Sequence, residues 1–293
     1  MGKLCLYHAS DLDGKCSGAI YARVVPEGML YPIDYGDDIP WELIKDADVT
    51  VIDWSFQPWS TFMRAMQTAR SITWIDHHKS AIKEFRANKL PKDSCPVDHF
   101  LRTDCAACEL AWKYFFPKAT MPWGVHLLGR YDVWDHEDLH VLSFQYGMRM
   151  HDMDPKTGSD ADLWTELLVE RLEAERLVYG MIEKGKLLLR YQQQNDAEAV
   201  RKSWFVVPAF GGLWQAVNRL GKGSSFFDAV WDPEVYSGML SFGWDGKTWV
   251  IGLYSTRDDV DCSAIAKAHG GGGHKGAAGF RCDTLPFSML SRS

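Results

Sequence analysis

The sequence contains Val49-Thr-Val-Ile-Asp53 and Ser71-Ile-Thr-Trp-Ile-Asp76, two short apolar runs that each end in an aspartate. A stretch of helical character, 58–69, lies between them, and Leu4–Tyr7 and Leu30–Ile33 are similar apolar runs further upstream. Strands that alternate with helices indicate a parallel sheet with crossover helices. We therefore predict an α/β fold with a parallel sheet in the N-terminal half.

The second half of the chain has a different pattern. Apolar residues recur at helical spacing through 162–194, which predicts one long helix or two in line. Four later segments are predicted as strands of a mainly antiparallel sheet: 204–210, 213–217, 238–242 and 249–254. A length of 293 residues favours two domains. We predict domains over 1–155 and 201–293, the second smaller and mixed α/β, joined by a helical linker over 156–200.

Composition narrows the classes of function. The net charge of −7 argues against a protein that coats long duplexes by neutralising many phosphates. It is compatible with a small or short substrate held at a local cationic site. No apolar run approaches the roughly 18 residues of a membrane-spanning helix, and the N-terminal apolar stretch is too short for a signal peptide. We expect a cytoplasmic protein without a membrane partner.

The seven cysteines are odd in number and irregularly spaced, which argues against a disulfide framework. Cys105 and Cys108 form a CxxC pair, and with Cys95 and His99 nearby a structural zinc site is one interpretation. A zinc ribbon needs two well-spaced pairs, however, and single CxxC pairs are common. The alternative is that the CxxC pair begins a helix that continues to Phe116.

Acidic and histidine side chains gather where the predicted strands end: His8, Asp11, Asp13, Asp53, Asp76, His77, His78 and Asp132. In open parallel sheets, ligands bind beyond the carboxyl ends of the strands. Carboxylate oxygens and imidazole nitrogens without thiolate suit manganese, magnesium or iron better than structural zinc. Four of the aspartates bring four negative charges into one cleft, where they would repel one another. Two divalent cations would cancel that charge, so the sequence predicts two metal ions.

Four N-terminal motifs occur in a fixed order: His8…Asp11-Leu-Asp13-Gly14, Ile52-Asp53, Asp76-His77-His78 and Asp132. Near the C-terminus stands Gly271-Gly-Gly-His274-Lys-Gly-Ala-Ala-Gly279-Phe280. With these motifs the chain resembles the DHH phosphoesterase superfamily over nearly its whole length. The resemblance is to members with the DHH-associated C-terminal domain, which include nanoRNases, cyclic-dinucleotide phosphodiesterases and RecJ-like exonucleases.

The resemblance implies ligand sets for two divalent metals, with Mn²⁺ preferred and Mg²⁺ or Fe²⁺ as alternatives. One metal would take His8, Asp11 and Asp53, and the other would take Asp13, Asp53, His77 and Asp132, with Asp53 bridging. His8 stands three residues before Asp11, whereas nanoRNase-like members are expected to have four. For the last ligand, the family pattern of an acid followed by an apolar residue and tryptophan favours Asp132 over Asp135.

The resemblance also implies catalytic and substrate-binding residues. His78 and Asp76 are predicted to be catalytic, with His78 near the scissile phosphate or orienting the site. Five residues of the C-terminal domain are predicted to bind substrate: Arg257, Gly271, Gly272, Gly273 and His274. The active site would then lie in the cleft between the domains.

The function implied is a phosphodiesterase for short oligonucleotides, cyclic dinucleotides or the ends of single-stranded nucleic acids. Two divalent ions about 3.5–4 Å apart can hold a bridging hydroxide that attacks phosphorus. The predicted partner is thus a nucleotide or a short single-stranded nucleic acid. The sequence leaves the oligomeric state open, a dimer included.

Two other functions fit part of the pattern. A phosphoanhydride or phosphomonoester hydrolase, acting on pyrophosphate, polyphosphate or phosphoadenosine phosphate, would use the same N-terminal motifs. Manganese pyrophosphatases, however, carry a different C-terminal domain. The other alternative is a non-enzymatic scaffold that contacts RNA. A degenerate site should have lost at least one of the predicted ligands, and all of them are present here.

Overall fold

The computed structural model describes residues 2–91, 93–169 and 172–288. The chain divides into two units, Met1–Leu189 and Arg190–Ser293, and each is described by itself. The first unit contains a parallel sheet, and the second, which is the shorter unit, contains a mixed sheet; a long helix lies between the two sheets in the sequence. The predicted fold class is confirmed.

The first unit is built on a five-stranded parallel sheet with the strand order β2-β1-β3-β4-β5. The strands are β1 (Lys3–His8), β2 (Met29–Ile33), β3 (Asp48–Ile52), β4 (Ser71–Asp76) and β5 (Val97–Leu101). The helices are α1 (Leu12–Val24), α2 (Trp41–Ile44), α3 (Trp59–Thr68), α4 (Lys79–Ala87), α5 (Ala107–Phe115), α6 (Trp123–Asp132), α7 (His140–Met148) and α8 (Leu163–Leu167). This strand order is doubly wound, and its direction of winding reverses between β1 and β3.

Both faces of this sheet are covered. Cys5 and Tyr7 of β1 pack into one core with residues of α1, α5 and α6. Leu4 and Leu6 of the same strand pack into a second core with residues of α3. Successive side chains of a strand point to opposite faces, so this one strand contributes to both cores and is fixed at the centre of the unit.

Gly14 allows α1 to begin directly against the end of β1. A Cβ atom at this position would lie 2.0 Å from the carbonyl oxygen of His8. Asp11 caps the helix, because its Oδ1 accepts a hydrogen bond from the Gly14 N–H at 2.9 Å. The tight turn therefore brings Asp11 and Asp13 next to His8.

The second unit contains a six-stranded sheet with the order β10-β11-β9-β8-β7-β6. The strands are β6 (Phe205–Ala209), β7 (Gly212–Asn218), β8 (Gly238–Trp244), β9 (Trp249–Tyr254), β10 (Gly272–Gly273) and β11 (Ala277–Cys282). Helix α10 (Cys262–Ala268) packs on one face through Cys262 and Ala266. A separate core includes Val200 of the long helix that precedes β6, Phe226 of the loop after β7 and Met239 of β8.

The sheet is mainly antiparallel, as predicted, but β7 and β8 pair in parallel. Parallel neighbours need a long crossover connection. Here the connection is 219–237, which includes a 3₁₀ helix at Ser224–Phe227. A segment of this length is compatible with either pairing, so the strand pattern alone does not reveal the parallel pair.

The predicted helix over 162–194 differs from the structure in both position and continuity. Helix α8 ends at Leu167, Leu168–Val169 are not helical, and α9 runs from Leu172 to Ser203. Positions 170 and 171 lie outside the described residues. Within the predicted helical linker, 156–162 forms turns. Leu167, Leu168 and Val178 pack into one core. Apolar residues therefore recur on both sides of the break, and their spacing in the sequence does not reveal it.

Helix α9 also extends nine residues beyond the predicted end. Its last turns are polar, and side-chain contacts between residues four apart stabilise them. Gln192 donates to Asp196 at 2.6 Å, and Lys202 pairs with Glu198. Within the described ranges, no helix combines the length and the apolar character needed to cross a membrane.

The close approach at Gly14 leads to a prediction about stability. Gly14→Ala should lower the free energy of unfolding by about 1–3 kcal/mol, because the new methyl group meets backbone that cannot move away. Gly180→Ala is the matched control, since Gly180 is exposed within α9 and a Cβ there meets nothing within 4 Å. That control should gain about 0.5–1 kcal/mol. Urea unfolding measures both, and equal effects at the two positions would contradict the steric argument.

Candidate metal centre

The predicted site residues of the first unit lie at the carboxyl ends of three adjacent strands. His8 is the last residue of β1, Asp53 follows β3, and Asp76 is the last residue of β4 with His77 directly after it. The reversal of winding between β1 and β3 opens a crevice at this edge, which is where ligands bind in doubly wound sheets. The cluster therefore occupies the expected binding position of the fold.

One group of side chains consists of His8, Asp11 and Asp53, which each offer a ligand atom within 4.8 Å of the others. His8 Nδ1 lies 3.2 Å from Asp11 Oδ2 and 3.5 Å from Asp53 Oδ2. The same residues form the first of the two ligand sets implied by the sequence motifs. The shorter spacing between His8 and Asp11 thus does not keep the histidine out of the group.

A second group consists of Asp13, His77 and Asp132, again with ligand atoms within 4.8 Å of one another. His77 Nε2 lies 3.3 Å from Asp132 Oδ2 and 3.8 Å from Asp13 Oδ2. It also lies 3.3 Å from Oδ1 of Asp53. Asp53 thus presents Oδ2 to the first group and Oδ1 to the second.

Asp53 is held in an unusual conformation between these groups. Its φ angle is +59°, which is uncommon for a residue other than glycine, and it is only 1% exposed. Burial opposes ionisation of its carboxyl group, but the contacts with His77 and His8 outweigh burial and hold its pKa below the ordinary value. The structure therefore keeps a buried, ionised carboxylate at the centre of the cluster.

The pKa values of two neighbouring carboxyl groups are raised, because the groups are buried and negative charge is concentrated around them. Burial, followed by the charge of Asp53, raises the pKa of Asp132 to about 7. The same two causes raise the pKa of Asp13 above its ordinary value. Burial alone would lower the pKa of the histidines, but the surrounding carboxylates raise it to about 11 for His8 and about 10 for His77. Cations bound here would relieve the repulsion among the carboxylates.

The donor atoms fit divalent metal ions. Among the described residues, His8 Nδ1 and Asp53 Oδ1 are buried atoms without a hydrogen-bond partner. The groups able to hold a metal consist of carboxylates and imidazoles, a set that suits manganese, magnesium or iron. Cys105 precedes α5 and Cys108 lies in its first turn, so the helix interpretation of the CxxC pair agrees with the structure.

Asp13 is anchored by the N-terminus of α5. Its Oδ2 accepts a hydrogen bond from the Ala107 N–H at 2.9 Å, and its Oδ1 accepts one from the Cys108 N–H at 2.7 Å. The first N–H groups of a helix have no partner within the helix and favour negative charge. A residue 94 positions away along the chain thereby orients this carboxylate.

Asp76 lies beneath the two histidines that follow it. Its Oδ1 accepts hydrogen bonds from the His77 N–H at 2.7 Å and the His78 N–H at 3.2 Å, and it contacts His78 Nδ1 at 2.7 Å. Burial alone would lower the pKa of His78, but Asp76 outweighs this effect and raises it. Asp76 therefore orients both histidines.

The two candidates for the last ligand occupy different environments. Asp132 belongs to the second group, whereas Asp135 Oδ2 lies 3.3 Å from a guanidinium nitrogen of Arg130. Arg130 also pairs with Glu109, which is nearly fully buried in α5 and accepts a bond from the Ala106 N–H at 3.3 Å. The pair between Glu109 and Arg130 ties α6, and with it Asp132, to α5.

Two residues beside the centre were not predicted. Asp34 directly follows β2, and its Oδ1 lies 3.4 Å from His8 Nε2. The ring of Tyr35 lies 5.8 Å from that of His8 and stacks on Trp54 at 5.9 Å. An aspartate after a predicted strand is the same signal that identified Asp53, and it could have identified Asp34.

The predicted substrate-binding residues lie in the second unit. The Arg257 guanidinium donates two hydrogen bonds to Asp259, at 2.9 and 2.7 Å, and one to the Pro233 carbonyl at 2.9 Å. The Gly271 N–H donates to the Ala266 carbonyl at 2.8 Å, which closes the end of α10. Gly272 and Gly273 form β10, and the His274 N–H donates to the Ala277 carbonyl at the turn that follows.

A cavity of about 450 Å³ lies in the second unit, and Gly272 and Gly273 line it. Its size falls within the range of small-molecule sites. Arg219 and Lys222 add basic groups to its wall, although Lys222 Nζ is paired with Asp196 at 2.9 Å. These two residues were not predicted. The signal available was a pair of basic residues among the glycines of the loop after β7.

Comparison with known proteins bears on the fold. No protein-family model matches the chain. An uncharacterized protein of Acanthamoeba polyphaga mimivirus is 24% identical, over 97% of this chain and 69% of the relative.

Two solved structures share the architecture. One is the DHH domain of a member of the s1p family of ribosomal proteins, with a TM-score of 0.57 and 15% identity over 96% of this chain and 83% of that one. The other is an exopolyphosphatase-related protein of Bacteroides fragilis, with a TM-score of 0.51 and 13% identity over 95% of this chain and 86% of that one. The chain has the fold of the DHH superfamily, as the motifs predicted.

The cluster leads to a prediction about metal binding. Mn²⁺ at 100 times its dissociation constant should raise the free energy of unfolding by about 2.7 kcal/mol. Asp132→Asn should weaken binding by about tenfold or more, since even the loss of a residue that only supports a ligand costs 10–100-fold. Asp135→Asn is the control and should bind Mn²⁺ as the wild type does. Calorimetric titration distinguishes the variants, and equal losses at both positions would contradict the placement of the site.

The buried pair in α5 and α6 leads to a second prediction. Glu109→Ala should lower the free energy of unfolding by about 3–5 kcal/mol, because it leaves the Arg130 guanidinium without its buried partner. Glu198→Ala removes an exposed pair with Lys202 and should lower the unfolding midpoint far less, because exposed pairs contribute little to stability. Urea unfolding compares the two. A cost at Glu109 no larger than at Glu198 would show that the pair does not hold α6 in place.

Proposed function

We propose that the chain is a metal-dependent phosphoesterase that hydrolyses phosphodiesters of nucleotides. The substrates proposed are short oligonucleotides, cyclic dinucleotides or the ends of single-stranded nucleic acids. The observation that carries the proposal is that two adjacent groups of carboxylates and imidazoles meet at Asp53, which belongs to the first group and contacts His77 of the second. The net charge of −7 favours short substrates over long duplexes.

The proposed ligands of two divalent ions, with Mn²⁺ preferred, are the six residues of the two groups: His8, Asp11, Asp13, Asp53, His77 and Asp132. When bound, such ions activate water and neutralise charge on phosphoryl oxygens. The contribution of the chain is to keep these ligands in fixed positions. Asp13 is fixed by the backbone of α5, and His77 is fixed by Asp76.

His78 is the proposed catalytic histidine. Asp76 engages its Nδ1 at 2.7 Å, so Nε2 is the ring atom left to face a substrate. A ring held in this way can donate a hydrogen bond from Nε2 to a phosphoryl oxygen or a proton to the leaving oxygen. Asp76 acts through His78 and is a positioning residue in this proposal.

In the second unit, Arg257, His274 and the glycines Gly271, Gly272 and Gly273 are the proposed substrate contacts. Arg257 already binds the carboxylate of Asp259 through two nitrogens. A phosphate has oxygens that can accept the same paired bonds, so a substrate phosphate would replace Asp259. Gly272 lies on β10, the outermost strand of its sheet, and a Cβ there would meet nothing within 4 Å, which leaves space for a substrate.

The test is hydrolysis in the presence of Mn²⁺. Dinucleotides, longer RNA and DNA strands, a cyclic dinucleotide, pyrophosphate and polyphosphate are offered separately. We expect mononucleotides from the nucleotide substrates. His78→Ala should lower the rate by about 10²–10⁴-fold, the usual contribution of a general acid or base.

His140→Ala is the matched control. His140 Nδ1 contacts Asp138 at 2.8 Å with the same spacing of two residues, but neither belongs to the cluster. The control should retain activity. Phosphate released from pyrophosphate or polyphosphate alone would replace the proposal with a phosphoanhydride hydrolase. No turnover by a protein that binds Mn²⁺ would reject the proposed activity.

A further inference from the structure

Trp134 is an exposed tryptophan that lies two residues after Asp132. Trp134 is 64% exposed, whereas Trp54 and Phe280, two other large aromatic residues beside the motifs, are 3% and 4% exposed. Two residues span at most about 7 Å of chain, so the backbone of Trp134 lies close to that of a predicted metal ligand. Among these three aromatic residues, Trp134 alone presents its ring to solvent.

The backbone at Trp134 has a conformation that normally requires glycine. Its φ angle is +61°. The Asp135 N–H donates to the Arg130 carbonyl at 2.9 Å, and the Trp134 N–H donates to the Tyr131 carbonyl at 3.2 Å. These two bonds form a Schellman motif at the end of α6, in which the residue with positive φ is usually glycine. Tryptophan, the largest amino acid, thus occupies a position where glycine is favoured.

The ring is held in place by a stack of aromatic side chains. Trp134 stacks on His136 with 5.8 Å between centroids and 29° between planes. His136 stacks in turn on Tyr131 at 5.5 Å and 24°. The guanidinium of Arg149 lies 5.6 Å from the Tyr131 ring and donates to its hydroxyl group at 2.9 Å. The Trp134 ring is therefore held in a defined orientation, and much of its area remains exposed to solvent.

The Trp134 ring stacks on His136 but the residue remains 64% exposed, so the strained backbone supports a ring that buries little apolar area within the chain. Strained residues of this kind cluster at ligand-binding and catalytic sites. An open indole face is suited to stack on a nucleobase, because every base has a π-face. Pyrophosphate and polyphosphate have no ring to place there.

We propose that Trp134 stacks on a base of the substrate and so selects nucleotide phosphodiesters over phosphoanhydrides. The inference rests on the proposed function, since it concerns a substrate whose phosphate lies at the metal centre. It adds a residue that recognises the base next to the residues that hold the metal. Trp134 positions the substrate and takes no part in proton transfer.

The experiment compares Trp134→Gly, Trp134→Phe and a control, Trp244→Ala, which removes another exposed tryptophan in the second unit. Stacking on an aromatic residue contributes enough to binding that Trp134→Gly should raise KM for a dinucleotide by about 5- to 150-fold. Its urea midpoint should rise, because glycine relieves the strain at positive φ. Trp134→Phe should retain most of the affinity, and Trp244→Ala should match the wild type. Mn²⁺ affinity should be equal in all four proteins.

A second measurement keeps this inference separate from the proposed activity. A phosphorothioate-linked dinucleotide is titrated calorimetrically into the wild type and Trp134→Gly, with pyrophosphate in a parallel titration. Weaker binding of the dinucleotide alone in the variant supports stacking even if no substrate is turned over. Equal dinucleotide affinity, with or without turnover, overturns it. A loss of stability in Trp134→Gly would also overturn it, since the ring would then serve the fold.

Discussion

Four of the candidate metal ligands are aspartates, and at their centre the carboxylate of Asp53 is buried between His8 and His77. Each charge needs a compensating partner, because burial and mutual repulsion both disfavour ionised carboxylates. Different parts of the fold supply those partners. The end of α5 provides two backbone N–H groups to Asp13, and His8 and His77 flank Asp53. Bound cations would compensate the negative charge that these partners do not.

The doubly wound topology makes this concentration of charge feasible. Strands β1 and β3 are neighbours in the sheet but lie on either side of β2 in the chain, so their following loops diverge at the carboxyl edge. Gly14 lets α1 start against His8, and Asp76 holds the turn after β4. These two local arrangements, in the loops after β1 and β4, therefore direct side chains into one crevice, although each is formed by residues close together in the sequence.

Much of this arrangement follows from local sequence. Strands that end in an aspartate predicted the positions of Asp53 and Asp76, because strand direction and strand end are both local properties. Asp34 carries the same signal after β2 and was overlooked. Strand β5 was not predicted, since Asp98 and His99 interrupt its apolar pattern and are exposed at the sheet edge.

Other features depend on contacts that no local pattern contains. The bonds from the start of α5 to Asp13 and the pair between Glu109 and Arg130 join distant segments. The positive φ of Trp134 is equally hidden, because helix ends of this type are normally recognised by a glycine. The break between α8 and α9 is hidden for the opposite reason, since apolar residues continue on both sides of it into one core.

The anchoring of Asp13 also has a consequence for ion choice. Its carboxylate cannot swing toward a larger ion without giving up two backbone hydrogen bonds, of 2.9 and 2.7 Å. Calcium is bound by six to eight oxygens in flexible cages, whereas smaller divalent ions demand a stricter geometry. As a proposed ligand held by the start of α5, Asp13 would therefore favour divalent ions of smaller radius. The backbone of α5 would in this way influence which cation binds without contacting the cation itself.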